Sequence, residues 1–307
     1  MSYHMNTPKT YDAVIIGAGY AGVSAAIWLG RFKRSVLLVS SGQPRNYKAH
    51  VLHGYPGFDG GNPAELLDKM RDEAAAYGIS TLDAWAESIS KDVTPDGDIF
   101  TIKTPVKTVT ARRVLIATGV TDTKPDISGF DQFEGVSAWH CPACDGIEYS
   151  GKKLVIIGWG PEVADFAKEF LTYSSDIIVM THGHADELNA QSRKALHDNN
   201  IPVIDTEIAE LLAADGSRTQ IGSLVMTDGT RLPADGIFYH INRTPRLELV
   251  QKLGCDINHG AVTGNHQQET CVPGVYVAGD IVNLEDLVVV ACATGTTAAS
   301  AIHNSLL

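Results

Sequence analysis

Long apolar runs are missing from this 307-residue chain, and none reaches the length of a membrane-spanning helix. The N-terminus also lacks the charged-then-apolar pattern of a secretory leader, so a cytoplasmic location and no membrane partner are expected. Met1 to Thr10 is polar and expected to be loose; His4-Met5 reads as a cloning scar, with Met5 as the natural start. Positive charge is in short supply: 24 Lys+Arg stand against 36 Asp+Glu, a formal net charge of −12. That argues against a nucleic-acid binder, which needs a basic face, while leaving room for a local basic docking patch. Cysteine is scarce and odd in number, with Cys141, Cys144, Cys255, Cys271 and Cys292. Without a leader, this excludes a secreted disulfide scaffold. Cys255, Cys271 and Cys292 are scattered and read as small buried residues. Low-complexity stretches are absent, and 44% hydrophobic with 20% charged residues suits a soluble globular protein of two domains.

What the chain does have is Cys141-Pro142-Ala143-Cys144-Asp145-Gly146. Two cysteines three apart can close a small disulfide, and a neighbouring carboxylate can move the proton that each thiol–thiolate change requires. The same spacing is also half of a zinc site. There is no second C-x-x-C, and two Gly-rich turns flank the pair, which favours thiol–disulfide chemistry; no metal site is expected.

Tyr11 to Gly17 reads as a buried parallel strand, followed at once by Gly17-Ala18-Gly19-Tyr20-Ala21-Gly22, a helical stretch from Val23 to Leu29 and a strand from Ser35 to Val39. A GxGxxG between strand and helix is the signature of a dinucleotide-binding β-α-β unit. Gly17 permits the tight turn, Gly19 lets a pyrophosphate approach the backbone, and Gly22 lets helix and strand pack closely. The helix N-terminus then faces the phosphates. Asn62-Pro63 reads as cap and first residue of a helix running through Tyr77 and ended by Gly78. Ile99 to Lys103 and Thr108 to Ile116 read as strands, and Ala117-Thr118-Gly119 closes this segment. A second strand, Leu154 to Ile157, leads into Gly158-Trp159-Gly160-Pro161-Glu162-Val163, a helix from Glu162 to Leu171 and a strand from Ile177 to Met180. Asp228-Gly229 marks a hairpin beginning with Ser223–Met226. Val275 to Ala278 is a last strand, ended by Gly279-Asp280, and Val288 to Ile302 a terminal helix of small residues.

Over nearly its whole length the chain resembles the low-molecular-weight thioredoxin reductases, the two-domain flavin disulfide reductases. The residues carrying the resemblance are GAGYAG at 17–22, Ala117-Thr118-Gly119, CPACDG at 141–146, HINRTP at 240–245 and GVYVAGD at 274–280. The resemblance implies an α/β fold of two Rossmann-like, three-layer ββα nucleotide-binding domains, the second inserted into the first. An FAD-binding domain would comprise residues 1–119 and 243–307, and an NAD(P)-type domain carrying the redox cysteines residues 120–242. It further implies a homodimer, FAD as cofactor, and electron flow from flavin to the Cys141–Cys144 disulfide and on to a thioredoxin-like protein or small disulfide. Cys141 would attack the partner, Cys144 would face the flavin and Asp145 would be the acid/base. Gly17, Gly19, Tyr20, Ala21 and Gly22 would hold the pyrophosphate. Ser40 and Ser41 stand where an acidic residue usually binds the adenosine ribose, and Arg45 and Asn46 follow as phosphate and ribose ligands. His53 sits in a loop over the flavin, Thr118 and Gly119 return to it, Gly279 and Asp280 hold the ribityl region, and backbone N–H groups near Val288 face the ring.

Three departures bear on the electron donor. The second Gly-rich turn carries Pro161 and ends in Val163, a β-branched residue where a small one is needed for helix and strand to meet. The strand after it leads into Thr181-His182-Gly183-His184-Ala185-Asp186-Glu187, without the arginines that hold the 2′-phosphate of NADPH. The isolated pair His182 and His184 reads as solvated rather than metal-binding. After Asp280, a Tyr-Arg-Gln-like run is replaced by Asp286-Leu287-Val288, which removes polar side chains from the flavin. Scaffold and disulfide kept, nucleotide site lost: that combination resembles ferredoxin-type and deeply branching thioredoxin reductases. It is also similar to the oxidases that close disulfides in gliotoxin- and holomycin-like metabolites, whose Arg45-Asn46, His53-Gly54 and Asp59-Gly60 run this chain shares. Those oxidases generally carry His where this chain has Asp145, so the reductase direction is expected, with a ferredoxin-type donor in view. The alternatives are a dithiol oxidase passing electrons through FAD to O₂, a weakly NAD(P)H-dependent thioredoxin reductase, and a flavin-binding redox sensor without turnover.

Overall fold

Runs of buried β-branched and aliphatic residues set the frame of a computed structural model that describes residues 10–95, 97–282 and 285–307. The expectation of a loose N-terminus falls, apart from Thr10, outside the described residues. In chain order the elements are β1 (Thr10–Ile16), α1 (Tyr20–Arg31), β2 (Val36–Ser40), α2 (Pro63–Ala76), β3 (Ser80–Asp83), β4 (Ser88–Thr94), β5 (Gly97–Lys103), β6 (Thr108–Ile116), β7 (Val120–Asp122), α3 (Phe130–Phe133), β8 (Ala138–Trp139) and α4 (Pro142–Asp145). After a 3-10 turn at Gly146–Tyr149 come β9 (Leu154–Gly158), α5 (Val163–Glu169), β10 (Ile177–Met180), α6 (Ala190–Asp198), β11 (Val203–Ile204), β12 (Ile208–Ala213), β13 (Ile221–Met226), β14 (Arg231–Pro233) and β15 (Gly236–His240). The chain ends with β16 (Arg243–Pro245), α7 (Glu248–Lys252), β17 (Ile257–Asn258), β18 (Ala261–Val262), β19 (Val275–Val277) and α8 (Val288–Asn304).

Two compact units share this chain. The first comprises the sequence up to Tyr47, then Ala64–Thr121 and Pro245–Leu307. Its seven-stranded sheet runs β3-β2-β1-β6-β5-β4, with β19 also paired to β6. Strands β3, β2, β1, β6 and β19 are parallel, and β4–β5–β6 continue as an antiparallel meander. Val14, Ile16, Leu37, Val39, Val114, Ile116, Val275 and Val277 form one apolar face. Each fully buried aliphatic chain there contributes roughly 1.5–3 kcal/mol of transfer free energy. Helices α1 and α8 pack closely because their contact is built of small residues. A Cβ on Gly295 would overlap the Ala21 carbonyl oxygen, and one on Gly22 the Gly17 carbonyl oxygen. Ser24 Oγ donates to the Cys292 carbonyl across the same contact at 3.0 Å. Helix α2 starts at Pro63, where a missing N–H costs nothing, and stops at Gly78, whose φ of 80° a side chain would disfavour.

The second unit comprises Lys48–Pro63 and Asp122–Thr244. Its five-stranded sheet, β11-β10-β9-β15-β8, is parallel throughout, and an antiparallel sheet β12-β13-β14 accompanies it. The Asp228-Gly229 turn closes β13 onto β14, with Asp228 Oδ1 accepting from the Thr230 N–H at 2.8 Å. The second strand–turn–helix departs from expectation in its helix. It begins at Val163 rather than Glu162 and relaxes into a 3-10 turn at Phe170–Thr172, leaving an α-helix of seven residues. Lys48–Pro63 is held within this unit by Lys48 Nζ, which reaches Asp131 at 2.9 Å and Glu134 at 2.5 Å. Gly135 packs against the Lys48 carbonyl, where a Cβ would overlap it. Among the described residues no helix is long and apolar enough to cross a membrane.

Candidate redox centre and nucleotide cradle

Strand β8 delivers the chain to the cysteines at one edge of the parallel sheet. Cys141 caps α4, its Sγ accepting the Cys144 N–H at 3.1 Å, and Pro142 takes the first helical position. The two cysteines are joined as a disulfide, with Cα atoms 5.3 Å apart. Asp145, the last residue of α4, is only 9% exposed. Burial pushes its carboxyl up to about 7, the negative charge of Glu148 acts in the same direction, and His53 opposes both. A carboxyl so placed can give or take a proton near neutrality. Gly146 follows because a Cβ there would strike the Tyr173 ring. The 3-10 turn is anchored by Tyr149, whose hydroxyl accepts from Trp139 Nε1 at 2.9 Å. Ile147, beside the disulfide, is 66% exposed.

In the first unit the structure brings the expected cofactor residues together around the carboxyl ends of β1, β2, β6 and β19. Gly17 has φ 109° and backs onto Ala117, so the Gly-rich turn and the Ala117-Thr118-Gly119 segment lie against each other. A Cβ at Gly19 would meet nothing within 4 Å, so this turn opens outward. No side chain caps α1 and no acid occupies its first turn, so the positive end of the helix dipole is left for an anion. Tyr20 is buried, which raises its hydroxyl above the ordinary value, and Asn46 Nδ2 donates to it at 3.5 Å. Arg45 NH1 joins Asp280 at 3.1 Å and Asp286 at 2.8 Å, drawing the loop after β2 onto the Gly279-Asp280 turn. Gly279 N–H donates to Thr294 Oγ1 at 3.0 Å, which ties that turn to α8. Thr118 Oγ1 donates to the Arg246 carbonyl at 3.1 Å, and the Arg246 N–H donates to the Gly119 carbonyl at 3.1 Å. Val288 opens α8 without a side-chain cap. Ser40 ends β2, with Ser41 exposed beyond it. These features fit a dinucleotide: an open glycine turn, an uncapped helix start and a polar loop folded onto them.

His53 is placed differently from the other cofactor candidates, in the second unit with the cysteines, where its ring lies 3.6 Å from Glu148. Sequence reasoning passed over several polar groups at these sites. Asp83 on β3 is the register partner of Ser40 and supplies a carboxylate beside the serine. Asp286 belongs to the stretch read as stripped of polar contacts, yet it holds Arg45. Glu148 is exposed and has no motif. Glu148 lies two residues past the CPACDG motif, and that proximity is the one signal that could have pointed to it.

Beside the second Gly-rich turn the chain's own side chains pair with one another, while Gly160 itself opens outward, with nothing within 4 Å of a Cβ. Gly158 serves packing, since a Cβ would overlap the His240 carbonyl oxygen and stand 3.0 Å from Val163 Cγ2. Trp159 stacks on His184 with ring centroids 4.1 Å apart and planes 15° apart. Glu162 pairs with His240 at 3.2 Å, and the His240 ring stacks on Phe166. The histidines read as solvated are engaged: His182 Nδ1 accepts the Ile208 N–H at 2.8 Å, and His184 meets Glu187 at 3.0 Å. Burial lowers the His182 pKa, so it stays neutral at pH 7. Arg193, a nearby guanidinium, is spent on the carbonyls of Leu188 and Ala185.

Residues 11–295 match the pyridine nucleotide-disulphide oxidoreductase family. The thioredoxin reductase of Listeria monocytogenes is 30% identical over 281 residues, covering 89% of this chain and 86% of that protein. Among solved structures, HlmI superposes with a TM-score of 0.88 at 31% identity, covering 97% of this chain and 92% of HlmI. The putative thioredoxin reductase TrxB of Bacillus anthracis gives 0.83 at 26% identity, with coverage of 96% and 98%.

Proposed function

The chain belongs to the pyridine nucleotide-disulphide oxidoreductase family and is an FAD-dependent thiol–disulfide oxidoreductase; from that premise we propose that it is a thioredoxin reductase-like disulfide reductase whose electron donor is not NADPH. The observation that carries the reading is the Cys141–Cys144 disulfide with the buried Asp145 carboxyl on the same short helix. When bound, FAD would supply the electron pair that opens the disulfide. On this reading Gly17, Gly19, Tyr20, Ala21 and Gly22 receive its pyrophosphate. Arg45, Asn46, Ser40, Ser41 and the neighbouring Asp83 orient its phosphate and ribose ends, and Thr118, Gly119, Gly279, Asp280 and the Val288 N–H line the rest. The FAD domain would be residues 1–119 and 243–307, the inserted domain 120–242, and the active protein a homodimer.

The chain's own groups then carry the exchange. The Cys141 thiolate attacks one sulfur of a partner disulfide, and the first partner thiolate leaves. Asp145 removes the proton of the Cys144 thiol, and that proton goes to the leaving thiolate. The Cys144 thiolate attacks Cys141, reforming the internal disulfide and releasing the second partner thiolate. One S–S bond breaks as one forms, two electrons move from the enzyme pair to the partner pair, and the single proton is conserved. Exposed Ile147 offers an apolar contact to a thioredoxin-like protein or a small disulfide.

A donor other than NADPH is supported by the lack of arginine in Thr181–Glu187 and by the commitment of the nearby Arg193 to the Leu188 and Ala185 carbonyls, and a ferredoxin-type donor is what the family resemblance implies. The reverse direction, dithiol oxidation with electrons passed through FAD to O₂, needs the same proton transfer run backwards, which a carboxyl near 7 can perform. An anaerobic titration of the flavin absorbance near ~450 nm tests the donor, because the cofactor's own spectrum reports its reduction. We expect no bleaching by NADPH or NADH and full bleaching by dithionite. Stoichiometric bleaching by NADPH overturns the donor assignment, and peroxide formed from dithiols in air, without reduction of any disulfide by the dithionite-reduced enzyme, favours the oxidase.

A further inference from the structure

His53 comes from a segment almost ninety residues before the redox motif, yet its ring is brought to the motif's own 3-10 turn. Its Nε2 lies 3.6 Å from Glu148 Oε1, and its Nδ1 lies 3.4 Å from Asp59 Oδ1. The segment is built to hold it there. Lys48 ties one end to Asp131 and Glu134, Leu52 pairs with Gly61, and Asp59 Oδ1 accepts the Gly54 N–H at 2.9 Å. His53 is 27% exposed, Glu148 42% and Asp59 69%, so the cluster opens from the buried Asp145 toward water. The charged groups acting on Asp145 are Glu148 and His53; Tyr149 on the same turn feels the Asp145 charge in return, and Asp59 faces His53.

We propose that His53 and Glu148 form an opposed electrostatic pair on Asp145, and that His53 is a positioning residue setting the pH range in which the Cys141–Cys144 pair exchanges with its partner. A positive charge on His53 favours the carboxylate, the form that takes the Cys144 proton. The Glu148 carboxylate favours the protonated acid, the form that donates. Both can be tuned by the partner: a protein docked over the exposed edge of the cluster would shield Glu148 and Asp59 from water and shift the balance at the moment of exchange. This inference rests on the reading of Asp145 as the acid/base.

Opposite signs give the test. In the purified holoenzyme, the protonated-carboxyl infrared band that Asp145→Asn abolishes is followed against pH. We expect His53→Gln to raise its midpoint by roughly half a unit or more, Glu148→Gln to lower it by a similar amount, and His53→Lys, which keeps the positive charge, not to raise it. The pH profile of exchange between dithionite-reduced enzyme and an aromatic disulfide should move in the same directions. Midpoints that stay fixed, or that move the same way in His53→Gln and Glu148→Gln, overturn the proposal, because loss of local structure alone has no reason to give opposite shifts. If instead Asp145→Asn exchanges at the wild-type rate at every pH, the acid/base reading fails, and opposed shifts of the band would then describe a cluster without that role.

Discussion

Asp145 resists its own ionisation, and this gives the protein a pH signature independent of turnover. Its folded-state carboxyl titrates near about 7, against an ordinary value of 3.8. The folded protein therefore holds this proton more tightly than the unfolded chain does. Stability is greatest below the unfolded value and falls as pH rises from about 4 to about 7, by at most about 4 kcal/mol; above that window there is no further loss. Replacing Asp145 by Asn removes the charge, so we expect the variant to gain on wild type by about 1–3 kcal/mol more at pH 8 than at pH 5. Urea unfolding at the two pH values measures this, and an equal difference at both would rule it out. Cys141→Ser and Cys144→Ser should each abolish disulfide turnover, roughly a thousandfold or more, because the full exchange cannot be completed with one sulfur. FAD should remain bound in both, since the glycine turn and Arg45 belong to the other unit. Full turnover in either serine variant would sink the mechanism.

Elements depend on glycine at two places where backbone meets backbone. A Cβ at Gly22 would run into the Gly17 carbonyl oxygen, and one at Gly295 into that of Ala21. Backbone atoms cannot swing aside as a flexible side chain can. Gly22→Ala and Gly295→Ala should each cost about 1–3 kcal/mol, with loss of retained flavin in the Gly22 variant. Melting temperature and the ratio of absorbance near ~450 nm to that of protein measure the two effects. Either variant with wild-type values would mean that α1 can shift without penalty. Elements were legible in the sequence where burial is two-sided and continuous. β1, β9 and β10 are apolar runs ended by glycine or polar turns, and α8 shows its small-residue face. The sequence was opaque where pairing is supplied from afar. β8 is two residues long and exists because β15 lies beside it. Ser80–Asp83 is largely exposed and carries no apolar run, yet it completes the sheet edge next to β2. Helix α5 fell short of its predicted length because Phe170 turns inward to a core with Phe166 and Phe238, and a 3-10 turn achieves that.

At the scale of the whole molecule, the cysteines, Asp145 and His53 lie in one unit and the glycine cradle in the other. The motifs of each were readable because their backbone demands, positive φ and close approach, admit few residue types. The clustering of His53, Asp59, Glu148 and Asp145 was not readable, because it arises from Lys48 meeting Asp131 and Glu134, more than eighty residues away. A ligand that binds only the folded state stabilises by mass action what it touches. Stripping FAD should therefore lower amide-exchange protection in β1, β2, β6 and α1 while leaving β9, β10 and β15 close to their holo values. A uniform loss of protection in all six strands would show that the two units unfold as one.

The chain passes between its two units four times, after Tyr47, Pro63, Thr121 and Thr244. On the ribosome, where residues emerge at roughly 5–20 per second, neither unit can close as it appears. Lys48–Pro63 must wait for Asp131, Glu134 and Glu148, β6 must wait for β19, and α1 must wait for α8. Nascent chains are thus obliged to keep the Val14–Ile16 and Leu37–Val39 faces unsealed for most of their synthesis. Quality-control factors that recognise exposed aliphatic strands would meet this protein through β1 and β2, and flavin could be captured for good only after Pro245–Leu307 is released.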